Sequence, residues 1–457
     1  MAGSATSADA DPFTTLRSLL RPDEIITPQS PDYKASIQTW AAQKQAHPPL
    51  AIRPTSVEAL SKAIAYLYAT SLDFAIYGQG FSSASAKDVV VNTSAFDDFH
   101  FDPQAEVVTI GAGQPWSAVY RKLAETAPEY AIVGARTPCV GVAGTIVSGG
   151  FSWLSSECEG RQIRRSVVWA STEPELLWAL RGGGGGFGVL AQVKLRVFRY
   201  PQNIWAGPIL VPRERLEDVA EGIERFLVGP VDPKITMFMY VVKGRLLESI
   251  GTDSDMLVIH TFDANGEEHG RKAFRWALDI PGAIDQTKIT TLAGVANLQE
   301  KVCIVKGSMK QFWQPLLVQE ISKETVIKAI KWFEEIHKID GSLGDCTYLI
   351  FELLCSRDLA GGSSSSAWPR PKGGKHILLI GAGCPADAGP SKEKLARDLA
   401  IEAPSKLLEN STDVHVLPNG FEDYHDPTKI WGPHVAKLQS LRVQYDPRGR
   451  FKGAVNP

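Results

Sequence analysis

The stretch GARTPCVGVAGTIVSGG, residues 134–150, governs the reading of the chain. Glycine at 141, 144, 149 and 150 clears side chains from one short segment, so that a flat or phosphate-bearing group can lie directly against backbone. Upstream, Tyr77-Gly78-Gln79-Gly80-Phe81-Ser82-Ser83 follows the apolar run Phe74 to Tyr77 and joins conformational freedom to hydroxyls and N–H groups, the make-up of an anion nest. Taken alone, a Gly/Ser turn between strands is more often a plain hairpin. Downstream, Arg181 opens a run of five glycines before Phe187-Gly188-Val189-Leu190. A GxGxxG match falls at Gly183, Gly185 and Gly188, but an unbroken glycine run produces it automatically, and the helix-like Pro174 to Leu180 precedes it rather than a strand. A Rossmann nicotinamide site is therefore disfavoured.

Around these stretches the pattern is α+β. Helical spacing of Val57, Leu60, Ile64 and Leu67 follows a Thr/Ser start, behind an edge strand at Pro49 to Pro54 where ordered structure is expected to begin. Short strands are expected at Phe74 to Tyr77, Val89 to Val91, Val107 to Ile110 and Ala131 to Val133, with a helix from Pro115 to Ala124. Residues 1–45 are polar and alanine-rich, carry a short helix near Phe13 to Leu20, and receive no chemistry. After Tyr200-Pro201 the texture changes. Helices at Arg213 to Leu227 and Lys323 to His337 mix with strands at Ile235 to Val242, Met256 to Thr261, Thr347 to Leu354 and His376 to Leu379, which predicts a sheet with helices on one face. The Gly/Ser-rich stretch 360–366 reads as solvated linker.

Composition excludes several classes. The 457 residues are 44% hydrophobic and 22% charged, enough for a large core in more than one domain. Forty-eight Lys and Arg against 51 Asp and Glu give a net charge of -3, which provides no field for nucleic acid or anionic membrane and points to a small-molecule partner. The start lacks a secretory signal and no run approaches the roughly 20 apolar residues of a membrane span, so a soluble cytoplasmic protein is expected. Six scattered cysteines without CxxC argue against a metal site and suggest reduced thiols, with Cys139 a buried structural one. The Asn92-Thr93-Ser94 and Asn410-Ser411-Thr412 sequons are read as chance.

The order Arg53-Pro54-Thr55-Ser56-Val57-Glu58, Gly78 to Ser83, Gly111-Ala112-Gly113-Gln114-Pro115-Trp116, Cys139 to Gly144, Leu176 to Gly184 and Phe187-Gly188-Val189 resembles the berberine bridge enzyme-like branch of the FAD-dependent oxidoreductases. In that family the flavin domain is of the p-cresol methylhydroxylase (PCMH) type. Near the end, Trp431-Gly432 and Leu438 to Phe451, with Tyr445-Asp446-Pro447, resemble the family's closing motif. The fungal secondary-metabolite members are the nearest in texture. The resemblance implies an α+β fold in two lobes: an extension at 1–45, an FAD-binding PCMH-type domain at 46–203, an antiparallel-sheet substrate domain at 204–410, and a segment at 411–457 that returns to the flavin domain. It implies that Gly78, Gln79, Gly80, Phe81, Ser82 and Ser83 hold the FAD diphosphate. Thr137, Pro138, Gly141, Gly144, Thr145, Ser148 and Gly149 would line the ribityl chain and ring system, and Gly188 and Val189 would pass near the adenine.

Departures from the family matter equally. Where members attach flavin through a histidine this chain has Phe81, and where they use a cysteine it has Thr137, so the FAD is expected to be non-covalent. Residues 155–166, with Arg161, Arg164 and Arg165, form a shorter and more basic segment than the family's, and the arginines are expected to face solvent. A tyrosine that serves as base in carbohydrate-oxidising members is Leu417 here. Tyr424 and His425 are the first candidates for catalysis, with Glu422, His434, His260 and Tyr240 behind them, while His100 reads as structural. Trp313, Phe312, Trp332 and Phe333 suggest an apolar pocket but have helix-core spacing. The expected function is hydride removal from a small organic substrate by FAD, with dioxygen as reoxidant. A catalytically impaired flavin-binding relative is the alternative.

Overall fold

Short β-branched runs build the first half of the molecule. The computed structural model describes residues 12–82, 84–157, 173–229, 232–243, 254–355, 366–369, 374–409 and 414–456. Strands β1 (Ile25–Ile26), β2 (Leu50–Ile52), β3 (Phe74–Tyr77) and β4 (Val89–Asn92) form a sheet in the order β1-β2-β4-β3. The β2–β4 and β3–β4 pairs are parallel, which requires cover on both faces and explains why Leu50, Ile52, Val89, Val90 and Val91 are fully buried. The crossover from β2 to β3 is the helix Val57–Ala69, started by Ser56, whose side chain accepts the Ala59 N–H. Strands β5 (Phe99–Asp102), β6 (Val107–Gly111) and β8 (Gln192–Arg196) form an antiparallel sheet, and β7 (Tyr130–Ala131) pairs with β9 (Phe198–Arg199).

Order begins earlier than the sequence suggested. From Pro12 onward the chain carries two short α-helices, two 3-10 turns and β1, so that β2 is an inner strand and not an edge. Trp40 is buried and stacks on Phe81 with ring centroids 4.6 Å apart. The segment that had seemed empty of function is therefore part of the wall behind the first glycine loop.

The second half is one nine-stranded sheet, antiparallel throughout: β10 (Ile204–Pro212), β11 (Ile235–Val242), β12 (Met256–Asp263), β13 (Ile284–Asp285), β14 (Lys288–Thr290), β15 (Met309–Val318), β16 (Tyr348–Leu354), β17 (His376–Pro385) and β18 (His415–Val416). Its order is β13-β10-β12-β11-β16-β17-β15-β18, with β14 also on β10. Side chains alternate between faces. Met237, Met239, Ile259, Leu349, Phe351 and Leu353 pack with Val219, Ile223, Ala329 and Ile330 of the helices Leu216–Val228 and Lys323–Ile339. Each such large buried side chain contributes about 1.5–3 kcal/mol. On the opposite face Phe238 and Phe262 share a cluster with Trp116, Val142, Ile146 and Trp153, so the two halves meet in one apolar core.

Helices on one face of an antiparallel sheet match the expectation. Phe333 belongs to the core on that helical side, and Phe312 joins a second cluster with Ile336 and Ala382, so neither lines a pocket. The glycine run after Arg181 also has a packing explanation. A Cβ on Gly183 would lie 2.7 Å from the Leu438 side chain and one on Gly186 2.6 Å from Arg442 Nη1, because the last helix, Val435–Tyr445, packs directly on the run. Beyond it, Arg450 donates to the Leu67 carbonyl and Phe451 meets Phe74 edge-on, so the chain end lies against the first sheet. The expectation of reduced thiols is overturned for one pair. Cys139 and Cys303 form a disulfide, with Cα atoms 6.0 Å apart, across a separation of 164 residues that no local spacing could reveal. Cys346, Cys355 and Cys384 are free thiols.

Candidate active site

The first glycine loop is aimed by β3. Parallel pairing with β4 ends at Tyr77, the chain breaks away at Gly78, and Gly80 adopts φ +74° where a Cβ would strike the Gln38 carbonyl. The N–H groups of Gln79, Gly80, Phe81 and Ser82 donate to no acceptor among the described residues. That leaves a row of donors at the tip of a strand, the arrangement an anion nest needs. Ser83 lies outside the described residues.

The second glycine stretch is stitched to the segment 112–117. Val142 and Ala143 donate to the carbonyls of Gln114 and Ala112, and Trp116 and Ser117 donate back to Val140 and Pro138. Residues 142–148 form a helix that the sequence did not disclose, because Val142, Thr145, Ile146 and Val147 are β-branched and Gly144 interrupts them. Thr145 Oγ1 accepts from Trp116 Nε1 at 2.8 Å, and Gly149 ends the helix at φ +82°. The two stretches face each other: a Cβ on Gly141 would lie 3.0 Å from Gln79 Cγ, and one on Gly144 3.8 Å from Ser82 Oγ. A Cβ on Gly78 would meet nothing within 4 Å. Gly78 thus borders open space, and backbone donors and absent side chains at this loop suit a long cofactor with an anionic middle. Gly188, at φ +142°, also borders open space, while Val189 packs on the cluster of Leu50, Ile52 and Phe74.

On the sheet the face turned toward this segment carries Tyr240, His260, Tyr348 and Glu352. Arg136, near the start of the second stretch, crosses to them. Its Nη2 donates to Glu352 Oε1 at 2.7 Å, its Nη1 donates to Gln299 at 2.6 Å, and its guanidinium stands 4.5 Å from the Phe238 ring centroid. Burial, aided by the Arg136 charge, pushes the His260 imidazole down to about 4, so it is neutral. Burial raises the Tyr348 phenol, whose hydroxyl donates to Gln311.

The two first-choice catalytic candidates sit elsewhere. Tyr424 donates to the Trp313 carbonyl at 2.7 Å and packs with Phe312 on the helical side of the sheet. His425 accepts the Glu422 N–H at Nδ1, so its proton resides on Nε2 and is donated to Gln314, and burial lowers its pKa to about 4. Glu422 is buried against Lys44, and burial pushes its carboxyl up. His434 bonds the Ala367 carbonyl, and His100 is exposed on β5. Trp313 stands edge-on to Tyr348 at 5.2 Å. The sequence reading missed Arg136, Gln299, Tyr348 and Glu352. The available signal was a lone acid within the otherwise apolar Tyr348–Leu354.

With this geometry in view, residues 48–167 match the family described as the FAD binding domain. The FAD-dependent monooxygenase prx3 of Penicillium roqueforti is 26% identical over 318 residues, covering 64% of this chain and 60% of that relative. The chain thus contains an FAD binding domain and is similar to fungal FAD-linked oxidoreductases. The match spans about three-fifths of prx3's own length. The structure of this FAD-linked protein resembles that of 6-hydroxy-D-nicotine oxidase from Arthrobacter nicotinovorans, with a TM-score of 0.79 at 18% identity over 96% of this chain and 99% of that one. It likewise resembles the berberine bridge enzyme-like protein 1 of Physcomitrella patens, with a TM-score of 0.78 at 13% identity over 98% and 99%. The cofactor implied by the matched domain is FAD. No helix among the described residues is long and apolar enough to cross a membrane.

Proposed function

We propose that the chain is an FAD-dependent oxidase or dehydrogenase of a small organic substrate, in keeping with the FAD-dependent Penicillium relative named above. The observation that carries this reading is the pair of facing glycine stretches beside a sheet face that presents Tyr240, His260, Tyr348 and Glu352. Bound FAD would supply two-electron oxidation, taking a hydride from substrate carbon and passing the electrons to dioxygen.

The chain's own residues supply position and proton transfer. The donors of Gln79 to Ser82 hold the diphosphate, and Thr137, Pro138, Gly141, Gly144, Thr145, Ser148 and Gly149 follow the rest of the cofactor. Glu352 is the group we assign to accept the substrate proton. Arg136 fixes its Oε1, while its Oε2 has no hydrogen bond among the described residues. Tyr424 and His425, each with its polar atoms engaged, support the wall formed by the late segment. The facing glycine stretches, and a Glu352 Oε2 without a hydrogen bond among the described residues, support this reading over a non-catalytic relative.

The test is a flavin spectrum. Purified protein given FAD should retain the flavin absorbance bands through gel filtration, and these should bleach on anaerobic addition of an oxidisable substrate found by screening and return when air is admitted. Protein that keeps no flavin defeats the reading.

A further inference from the structure

The segment from Gln299 to Ser308 contains only one short 3-10 helix, Glu300–Val305, and it has little core of its own. Val302 and Ile304 point outward, 44% and 80% exposed. Helices of this kind are weak without outside support. What holds the segment is a set of ties to the flavin-binding half. Gln299 accepts from Arg136, and Cys303 is bonded to Cys139. Lys306 donates to the Tyr77 hydroxyl at 2.9 Å, Gln38 donates to the Lys306 carbonyl at 2.9 Å, and the Gly307 N–H donates to the Trp40 carbonyl at 2.9 Å. Cys139 lies inside the second glycine stretch, and Tyr77 is the residue from which the first loop departs. Three residues of strap therefore fix the spacing of the two loops that border the cradle.

We propose that this strap is a clamp on the cofactor: the Cys139–Cys303 disulfide, with the Lys306–Tyr77 contact, sets the separation of the two glycine loops and so determines how firmly FAD is held. The proposal rests on the FAD reading above. Both cysteines are only partly buried, so a small reductant can reach the bond. Dithiothreitol delivers two electrons and two protons, the S–S bond breaks, Cys139 and Cys303 become thiols, and the reagent closes to its own cyclic disulfide. With the bond gone, the exposed apolar segment is restrained by hydrogen bonds alone, and the loops can part.

The experiment follows FAD leaving the full-length, FAD-loaded protein, by ultrafiltration and flavin fluorescence of the filtrate, before and after dithiothreitol. Release should quicken by about tenfold or more on reduction, and in Cys139→Ser/Cys303→Ser without reductant. Reoxidation should slow it again. Lys306→Met should quicken release with the disulfide intact. Far-ultraviolet circular dichroism of the reduced wild-type protein separates loosening from unfolding, which guards against a double variant that fails to fold. Equal release from oxidised and reduced protein of unchanged dichroism overturns the clamp, as does a reductant effect that persists in the double variant. If oxidised wild-type protein takes up no FAD, the cofactor reading itself has failed. If it takes up FAD and releases it at one rate, only the clamp has.

Discussion

Arg136 and Glu352 join the two halves of the molecule at 2.7 Å, with both side chains about one-tenth exposed. One comes from near the start of the glycine stretch 134–150 and the other from the middle of the large sheet. A buried pair of this kind is a poor source of net stability, yet removal of one partner strands the other in a medium that solvates it badly.

Arg136→Met should therefore lower the unfolding free energy by about 3–5 kcal/mol, and Arg136→Met/Glu352→Leu should regain most of that loss. Urea unfolding of the three proteins measures it. A single variant as stable as wild type would mean that solvent already reaches the pair.

The glycine run after Arg181 yields a second expectation. Gly186 has φ +110°, and Arg442, itself fully buried and paired with Asp446 at 3.0 Å, occupies the space a side chain would need. Gly186→Ala should cost about 1–3 kcal/mol from the backbone conformation alone, with the Arg442 contact adding to it. Gly229→Ala is the control. Gly229 has φ -67° and its nearest contacts begin at 3.4 Å, so the change should stay within about 0.5 kcal/mol. Thermal unfolding that shifts equally in both variants would remove packing on the last helix as the reason for the run.

The fold was readable wherever one physical signal acted alone. Ile235–Val242 is almost wholly apolar, with β-branched residues at both ends and aromatic residues between, and its ends are the ones the sequence implied. The helix Lys323–Ile339 keeps strict apolar spacing behind a Ser322 cap. Met309–Val318 escaped notice because Gln311, Gln314 and Pro315 interrupt it, although both glutamines are buried and Gln311 serves Trp40 and Tyr348. The glycine stretches proposed as the cradle stand out in the sequence by glycine placement alone. The charged pair that flanks it was not, because Arg136 and Glu352 lie 216 positions apart and each alone looks like a surface residue. Residues 158–172, which include most of the basic segment that departs from the family, lie outside the described residues.

The attachment of the flavin is a third expectation. At the two positions where the family bonds the cofactor, this chain presents a phenyl ring stacked on Trp40 and the threonine hydroxyl of Thr137, neither of which forms the histidyl or cysteinyl link. Denaturation in acid or urea followed by filtration should leave the yellow colour in the filtrate and the polypeptide colourless. Colour that stays with the polypeptide would show a bond at some other residue.

Acid should weaken the fold through its buried histidines. Burial, with Arg136 nearby, holds His260 down to about 4, and burial, with Lys44 nearby, does the same to His425. In the unfolded chain both titrate near pH 6.5. Between pH 6.5 and about 4, then, the unfolded state binds protons that the native state refuses. Stability must rise with pH across that window and fall as the medium is acidified, by up to about 3 kcal/mol for each histidine. Carboxylates held below their usual range, such as Asp73 and Asp285, act in the same direction, so the histidine share is isolated by difference: His260→Gln keeps a hydrogen-bonding group beside Gln299 but removes the titration. Urea unfolding at about pH 7 and about pH 4.5 should show a smaller acid loss in the variant than in wild type. Equal losses would mean that His260 is already protonated in the native protein and that the Arg136 charge is screened from it.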